Sequence, residues 1–518
     1  MKLSLKILAT LAGLLFCLTF AISVQGENVL HNPQVIHPVH FDISPPLASI
    51  PPAGMPAGVK RMVPNERIPV HPSAGGKDTV AQTSVTANVA STPGVNFDGV
   101  GVPSITVQYA PPDTNGDVSA SYYGQIVNVS IAWFNKSNGS FYYGPVSTKT
   151  LWSGFGGGCQ ANNDGDGTIR YDQLSNHWVV SQFSVSTTPY LQCVAVSVNS
   201  DPKGSWYRYS FQQPNFNDYP KMGVWPDGYY FTFNMFTSSF QGGRVCAFDR
   251  AKMDAGDPSA TQQCFQLSSS FGGLLPSDLY GLTLPPSGTP NYVLNFGSNS
   301  LNLWKFDVDF TTPANTTFTG PTNIPVSAFS PACGGGTCIP QLAKRANRLD
   351  SLADRLMNRL VYRNLGTRES LVVNHSITGP SSTSAIRWYE LQPKQTPIVR
   401  QSGTFAPDAT YRWMGSIATD KVGNMAVGYS VSSSSINPGI RYTGRLVGDA
   451  LGTMAAEATI MNGTGSQYKN LNRWGDYSSM SVDPLDDCTF WYTTEYLKSN
   501  GTFNWSTRIA SFKMTGCQ

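Results

Sequence analysis

The chain is short of charge. Lys, Arg, Asp and Glu make up 13% of its 518 residues, and the formal net charge is only +3. That balance excludes the concentrated basic face on which nucleic-acid binding depends. Histidine is scarce, with six residues. No Cys-x-x-Cys pair, Gly-x-Ser-x-Gly elbow, phosphate loop, His-Glu-x-x-His or Gly-x-Gly-x-x-Gly string occurs. The common zinc, serine-hydrolase and nucleotide-binding signatures are therefore missing. The glycine-rich "GFGGGC" at 154–159 lacks the Lys and the strand-to-helix setting of a phosphate loop. After residue 26 no apolar run approaches the length of a membrane-spanning helix.

What is present begins with an export signal. Lys2 and Lys6 precede an apolar stretch from Ile7 to Phe20, and small residues follow at Ala21, Ser23 and Gly26. Cys17 follows the bulky Phe16, which does not suit lipoprotein processing, so residues 1–26 read as a cleaved signal and the product as secreted or periplasmic. Eight cysteines remain: Cys159, Cys193, Cys246, Cys264, Cys333, Cys338, Cys488 and Cys517. An even count in an exported chain points to disulfides, and pairing each with its neighbour along the chain closes the shortest loops.

Residues 27–78 read as a Pro-rich linker, extended or disordered, ahead of a domain from 79 to 518. Ten prolines fall between Pro33 and Pro72, too many for a helix or a central strand. His31, His37, His40 and His71 lie here, but no Cys or acidic partner accompanies them as a metal set would require.

The chain as a whole has 12% aromatic residues and 49 glycines, and from about residue 80 its pattern is that of strands and turns. Seven segments repeat one pattern: a polar or charged step, an apolar strand, an Asp- or Gly-bearing turn, and a second aromatic strand. They include "GDGTIRYDQLSNHWVVSQFSV", "NDYPKMGVWPDGYYFTFNMF", "YRWMGSIATDKVGNMAVGYSVS" and "NRWGDYSSMSVDPLDDCTFWYTTEY". A further strand pair usually follows each. Four short strands per unit, seven times over, predicts an all-β fold: a single seven-bladed β-propeller of four-stranded antiparallel blades. On this register Arg-Trp opens an innermost strand, and Asp172, Asp227, Asp420 and Asp483 begin the turns out of such strands. One stretch competes, because Leu342, Leu349, Leu352, Leu356 and Leu360 fall at helical spacing. The repeat register instead requires a strand from Leu356 to Arg363, with at most a helical turn before it.

The strings "APPDTNGDV", "YDQLSNHWVVSQF", "LDSLADRLMNRLVYRN", "RWMGSIATDKVGN" and "RWGDYSSMSVDPLDDCTFWYTTEY" resemble a family of exported, mostly bacterial proteins of the sialidase-like propeller type, over roughly residues 109 to 517. The resemblance implies the fold and export, and brings no established activity with it.

Candidate ligand-binding residues cluster at the predicted blade starts: Asp218, Tyr219, Lys221, Asp278, Tyr280, Asp354, Arg355, Arg412, Trp413, Arg473, Trp474 and Asp476. Rimming one channel mouth, they would offer charge and aromatic stacking to a glycan or a protein. Asp and Arg at such places also bond neighbouring blades and then need no ligand. Sialidase chemistry would need an arginine cluster and a Tyr–Glu pair. Arg355, Arg412 and Arg473 are available, but Tyr389–Glu390 and Glu495–Tyr496 are strand neighbours that face opposite ways. "SVDPLDDC" also departs from the sialidase Asp-box at Leu485 and Cys488. Two acidic loops are candidates for calcium: Asp113, Asn115 and Asp117, and Asn163, Asp164 and Asp166. Neither completes an EF-hand, and Asx-turns explain both. His177 is expected in an exposed hairpin turn, and His375 toward the channel. The leading expectation is an exported, monomeric recognition module for a glycan or protein. A glycoside hydrolase or lyase is the alternative, and a structural envelope or matrix component the third.

Overall fold

The computed structural model describes residues 28–54, 60–63, 66–71, 75–85, 87–343, 347–394 and 396–518; the predicted export signal lies outside them. The described chain is nearly all β. Its strands are the Val-, Tyr- and Phe-rich runs, which suit a pleated, buried surface, and polar turns separate them. Successive stretches fold as antiparallel meanders of four strands. Their first strands are β1 (Asn115–Val118), β2 (Thr168–Asp172), β3 (Phe216–Val224), β4 (Leu275–Leu279), β5 (Met357–Asn364), β6 (Tyr411–Thr419) and β7 (Ser479–Val482). The last meander takes its fourth strand from far upstream, Ser91–Asp98 paired with Trp505–Met514. Parallel pairing of β4 with β5, Asp278 opposite Val361, fuses two meanders into one ten-stranded sheet.

Each first strand touches the next in chain order, and β7 touches β1, so these strands stand in a closed ring. Apart from β4 and β5, which pair with each other, a first strand has a ladder partner on one side only, and its remaining N–H groups need acceptors. Side chains of adjoining strands supply them. Ile169 and Tyr171 on β2 donate to Asn115 and Asp117 on β1, at 3.2 and 3.1 Å. Val224 on β3 donates to Asp278 on β4 at 2.9 Å, and Met480 on β7 to Ser416 on β6 at 2.9 Å. Apolar side chains fill the space between sheets. Trp133 of the first meander, for example, packs on Trp178 and Trp206 of the second, with ring centroids 6.1 and 5.9 Å apart.

The expected turns form: Asp172, Asp420 and Asp483 accept from Leu174, Val422 and Leu485 N–H at 2.9, 3.1 and 3.0 Å. All four neighbour disulfides are present, Cys159–Cys193, Cys246–Cys264, Cys333–Cys338 and Cys488–Cys517. The leucine-spaced stretch shows no helix among its described residues. Leu349–Asp350 pairs with Thr337–Ile339, and the strand follows at Met357–Asn364.

The N-terminal segment does not hang free as a linker. Its described parts run extended along the outer edges of the sheets. Val29–Leu30 pairs with Thr317–Pro325, Gln34–Ile36 with Gln262–Gln266, and His40–Ile43 with Trp206–Gln212. Ala81–Gln82 then joins Ile398–Phe405. At several of these edges an acceptor from the segment meets an arginine of the sheet. Asp42 takes Arg208 at 2.7 and 2.6 Å, Gln34 takes Arg244 at 2.6 Å and Asp78 takes Arg387 at 2.7 Å. Arg387 is wholly buried, so Asp78 is the counterion of a cation that has left water. His40, once a candidate for a metal tail, rests its ring on Phe155 with centroids 4.6 Å apart.

Removing one partner of a buried pair strands the other charge, which costs about 3–5 kcal/mol. Asp78→Ala is therefore expected to lower unfolding free energy by about that amount in urea denaturation. A loss within the range of a surface substitution would refute the counterion role.

Candidate functional site

Two polar clusters line the inside of the ring, one toward each end of the first strands. The segments leading into β1, β2 and β7, with the start of β3, bring together Asp113, Asp166, Asp476 and Asp218. Asp113 Oδ1 accepts from Asp476 N–H at 2.7 Å, and its Oδ2 from Asn128 Nδ2 at 2.5 Å. Asp166 Oδ2 accepts from Tyr219 N–H at 3.2 Å. Arg473 Nη2 lies 2.5 Å from Asp476 Oδ1, and its Nη1 3.8 Å from Asp350. Glu495 reaches in from the second strand of the last meander and accepts from Gly475 N–H at 3.0 Å.

Lys221 is buried beneath these acids. Its Nζ sits 3.3 Å from the ring centre of Tyr219 and 4.0 Å from that of Tyr477, and donates to Pro220 O at 3.1 Å. Arg355 lies 4.4 Å over Tyr219 and is held by Asp354 through bonds of 2.7 and 3.0 Å. Burial pushes Lys221 down to about 7. Burial likewise pushes Glu495 up to about 8, against the opposing pull of Gly475 N–H and Arg473. Asp113 and Asp218 rise well above the ordinary carboxylate range, first through burial and then through repulsion from neighbouring acids. Carboxylates outnumber cations here, and the low-dielectric setting returns some of them to the neutral form.

In the other cluster every carboxylate is engaged. Arg170 meets Asp278 at 3.2 Å, and Arg359 meets Asp117 and Asp278 at 3.3 and 3.4 Å. Arg359 also bonds Tyr280 Oη and, at 3.0 Å, Ser479 Oγ. Each carboxylate accepts in addition from backbone, so the group binds the strands to one another. A cavity of only about 20 Å³ adjoins it.

The twelve candidates therefore separate. Asp218, Tyr219, Lys221, Asp354, Arg355, Arg473 and Asp476 belong to the first cluster; Asp278 and Tyr280 belong to the second. Arg412 faces neither: it is held by Asp408 at 3.0 Å and Glu457 at 2.9 Å, away from the ring's interior cluster. Trp413 and Trp474 are fully buried, 5.7 Å apart, with Trp474 Nε1 donating to Ser430 Oγ at 3.1 Å. They are core, and offer no stacking surface. Simple strand alternation does not place either tryptophan: Arg473 and Trp474 lie in the loop before β7, and the β6 ladder is irregular between Trp413 and Ser416.

The calcium loops are corrected too. Asp113 and Asp117 take N–H groups and a guanidinium as above, and Asn115 Oδ1 accepts from Ile169 N–H and Arg170. Asp164 accepts from Val185 and Ser186 N–H at 2.6 and 2.8 Å, and Asn163 donates to Val129 O and Ser147 Oγ. No group of three metal-binding side chains exists among the described residues. His375 is buried against Phe296 and Phe329 with Nε2 3.1 Å from Tyr389 Oη, and so does not reach the channel. His177 is half-buried, 3.7 Å from Asp254, rather than exposed. Sequence motifs do not mark Arg170, Arg359 or Tyr477, and they mark Glu495 only as the neighbour of Tyr496; a two-residue alternation of polar side chains along first strands is the signal for Arg170 and Arg359.

The first cluster opens on a cavity of about 150 Å³. Asp166, Asp218 and Asp476 contribute acids, while Phe183, Phe216 and Tyr109 contribute aromatic surface. Arg61, Val63 and Glu66 of the N-terminal segment form part of its wall. Val63 O accepts from Arg473 Nε at 3.0 Å, and Arg61–Met62 pairs with Tyr109–Ala110.

No family model matches the chain, and no curated protein matches it. Among solved structures, it is similar to a GH43 endo-arabinanase from Bacillus licheniformis, at 11% identity over 56% of this chain and 96% of that one, TM-score 0.28. It is also similar to the WD40 domain of SCAP from fission yeast, at 7% identity over 76% and 82%, TM-score 0.31. A xylan β-1,4-xylosidase from Bacillus halodurans C-125 matches at 8% identity over 81% and 97%, TM-score 0.30. Likenesses this distant carry no argument about the activity of this chain. No helix among the described residues is long and apolar enough to cross a membrane.

Glu495 ionises near 4.5 when unfolded and near 8 in the fold. Between those values the fold holds a proton that the unfolded chain has released, so the group's contribution to stability falls as pH rises and levels off above 8. Glu495→Gln keeps the acceptor for Gly475 and removes the titration. Its stability advantage over the unsubstituted protein should open across pH 4.5 to 8 in paired urea denaturations. A pH-independent difference would refute the buried neutral acid.

Proposed function

We propose that the chain is an exported seven-bladed β-propeller that acts as a recognition module, holding a glycan or protein ligand at the mouth bounded by Asp166, Asp218 and Asp476. Seven first strands in a closed ring support the blade count, and the fourth strand borrowed from Ser91–Asp98 is the means of closure. Four disulfides support passage through an oxidising compartment.

One observation carries the site. Asp218 is half-buried, lines the cavity, and accepts no hydrogen bond from the described residues, whereas the acids of the opposite cluster are all engaged. A carboxylate free for a ligand, flanked by Phe183 and Phe216, suits recognition. The hydrolase alternative is less well supported. Arg412 points elsewhere, and Arg355 and Arg473 are already paired with carboxylates, so no arginine cluster is left for a ligand's carboxylate.

The test is a glycan array and a peptide library probed with the unsubstituted protein and Asp218→Asn. Loss of one charge-assisted bond is expected to weaken captured ligands by about tenfold. Ligands bound equally by both proteins would place recognition elsewhere.

A further inference from the structure

The cavity at the acidic mouth has two kinds of wall. Phe183 and Phe216, with ring centroids 6.0 Å apart, and Tyr109 line it with carbon. Its acids differ in what they already hold. Asp164 is satisfied by Val185 and Ser186 N–H. Asp166, only 6% exposed, gives Oδ2 to Tyr219 N–H and leaves Oδ1 with no hydrogen bond from the described residues. Asp476 is 9% exposed, and its Oδ1 has an ion contact with Arg473 but no aligned hydrogen bond. Asp218, half-buried, accepts no hydrogen bond from the described residues. Of the nearby cations, Lys221 is enclosed between Tyr219 and Tyr477, Arg355 is bound to Asp354, Arg473 reaches Asp476 but neither Asp166 nor Asp218, and Arg61 on the wall has no ion pair among the described residues.

Nearly buried acceptors without donors, at one end of a narrow aromatic-walled space, match one chemistry. A long basic side chain lays its apolar stem along rings and brings several N–H donors and a positive charge to its tip. A neutral sugar would supply donors and leave the excess negative charge where it is. We propose that this cavity takes the arginine or lysine side chain of a protein partner. The proposal rests on the reading of this mouth as the ligand site and narrows it to a cationic ligand.

The test uses the full chain and two small probes, Nα-acetyl-L-arginine amide and its uncharged isostere Nα-acetyl-L-citrulline amide, followed by calorimetric titration. The arginine probe should bind about tenfold more tightly than citrulline, and Asp218→Asn should remove most of that difference. Because Asp218 accepts no hydrogen bond from the described residues, and burial and neighbouring acids push its carboxyl up, the variant should melt no lower than the unsubstituted protein. Raising salt should also weaken the arginine probe on the unsubstituted protein, a readout that needs no variant. Equal binding of both probes would overturn the cationic ligand while leaving the mouth in place. So would failure of the arginine probe alongside glycans whose capture depends on Asp218. Arginine binding that ignores Asp218→Asn would overturn both the ligand and its site.

Discussion

An innermost strand in a ring of sheets has a partner on one side only, and that constraint shapes the interior of this protein. Its free N–H groups face a space too narrow to leave them to bulk water. The chain answers with Asn115, Asp117, Asp166, Asp278 and Ser416, each accepting from the backbone of an adjoining strand. Acids placed for this purpose then need cations, and Arg170 and Arg359 meet them at one end of the ring. At the other end the compensation is incomplete, and that is where a cavity opens. Structural and functional charge thus have one origin and differ in how fully they are neutralised.

The same logic operates on the outside. An outer strand is also an edge, and exposed edges invite unwanted pairing. The N-terminal segment covers several of them and brings Asp42 and Asp78 to arginines of two different sheets. Prolines are tolerated in such a role because an edge strand keeps one side of its backbone out of the ladder. What composition describes as a spacer works as a belt.

Much of the architecture was legible in the sequence. The Asp-bearing turns, the strand after Leu356 and the four disulfides between chain neighbours follow from local patterns, and local patterns determine turns and short loops. The site was less legible. Arg412 and Trp413 looked equivalent to Arg473 and Trp474, yet neither tryptophan faces the interior and only Arg473 joins the acids. Face selection in a strand changes with every residue, so a motif aligned correctly along the chain still does not say which way a side chain turns. The engagement of Asp113 and Asp164 was equally hidden, because their partners, Asp476 N–H and the Val185–Ser186 backbone, come from other turns of the chain.

The borrowed strand also sets an order of events. Asp98 and Arg508, bonded at the seam, are 410 residues apart in the chain. Loop-closure entropy grows only slowly with length, so so distant a seam costs little more than a nearer one once the intervening sheets exist. Its consequence is temporal instead. During synthesis Ser91–Asp98 emerges first and must wait, unpaired, until Trp505–Met514 appears. Until then the nascent molecule is an open arc with a sticky strand at its start, and every earlier sheet can form before the circle does. A chain interrupted before its last strand would have most of its secondary structure and none of its closure. The seam therefore makes synthesis as far as Trp505–Met514 a condition for that pairing.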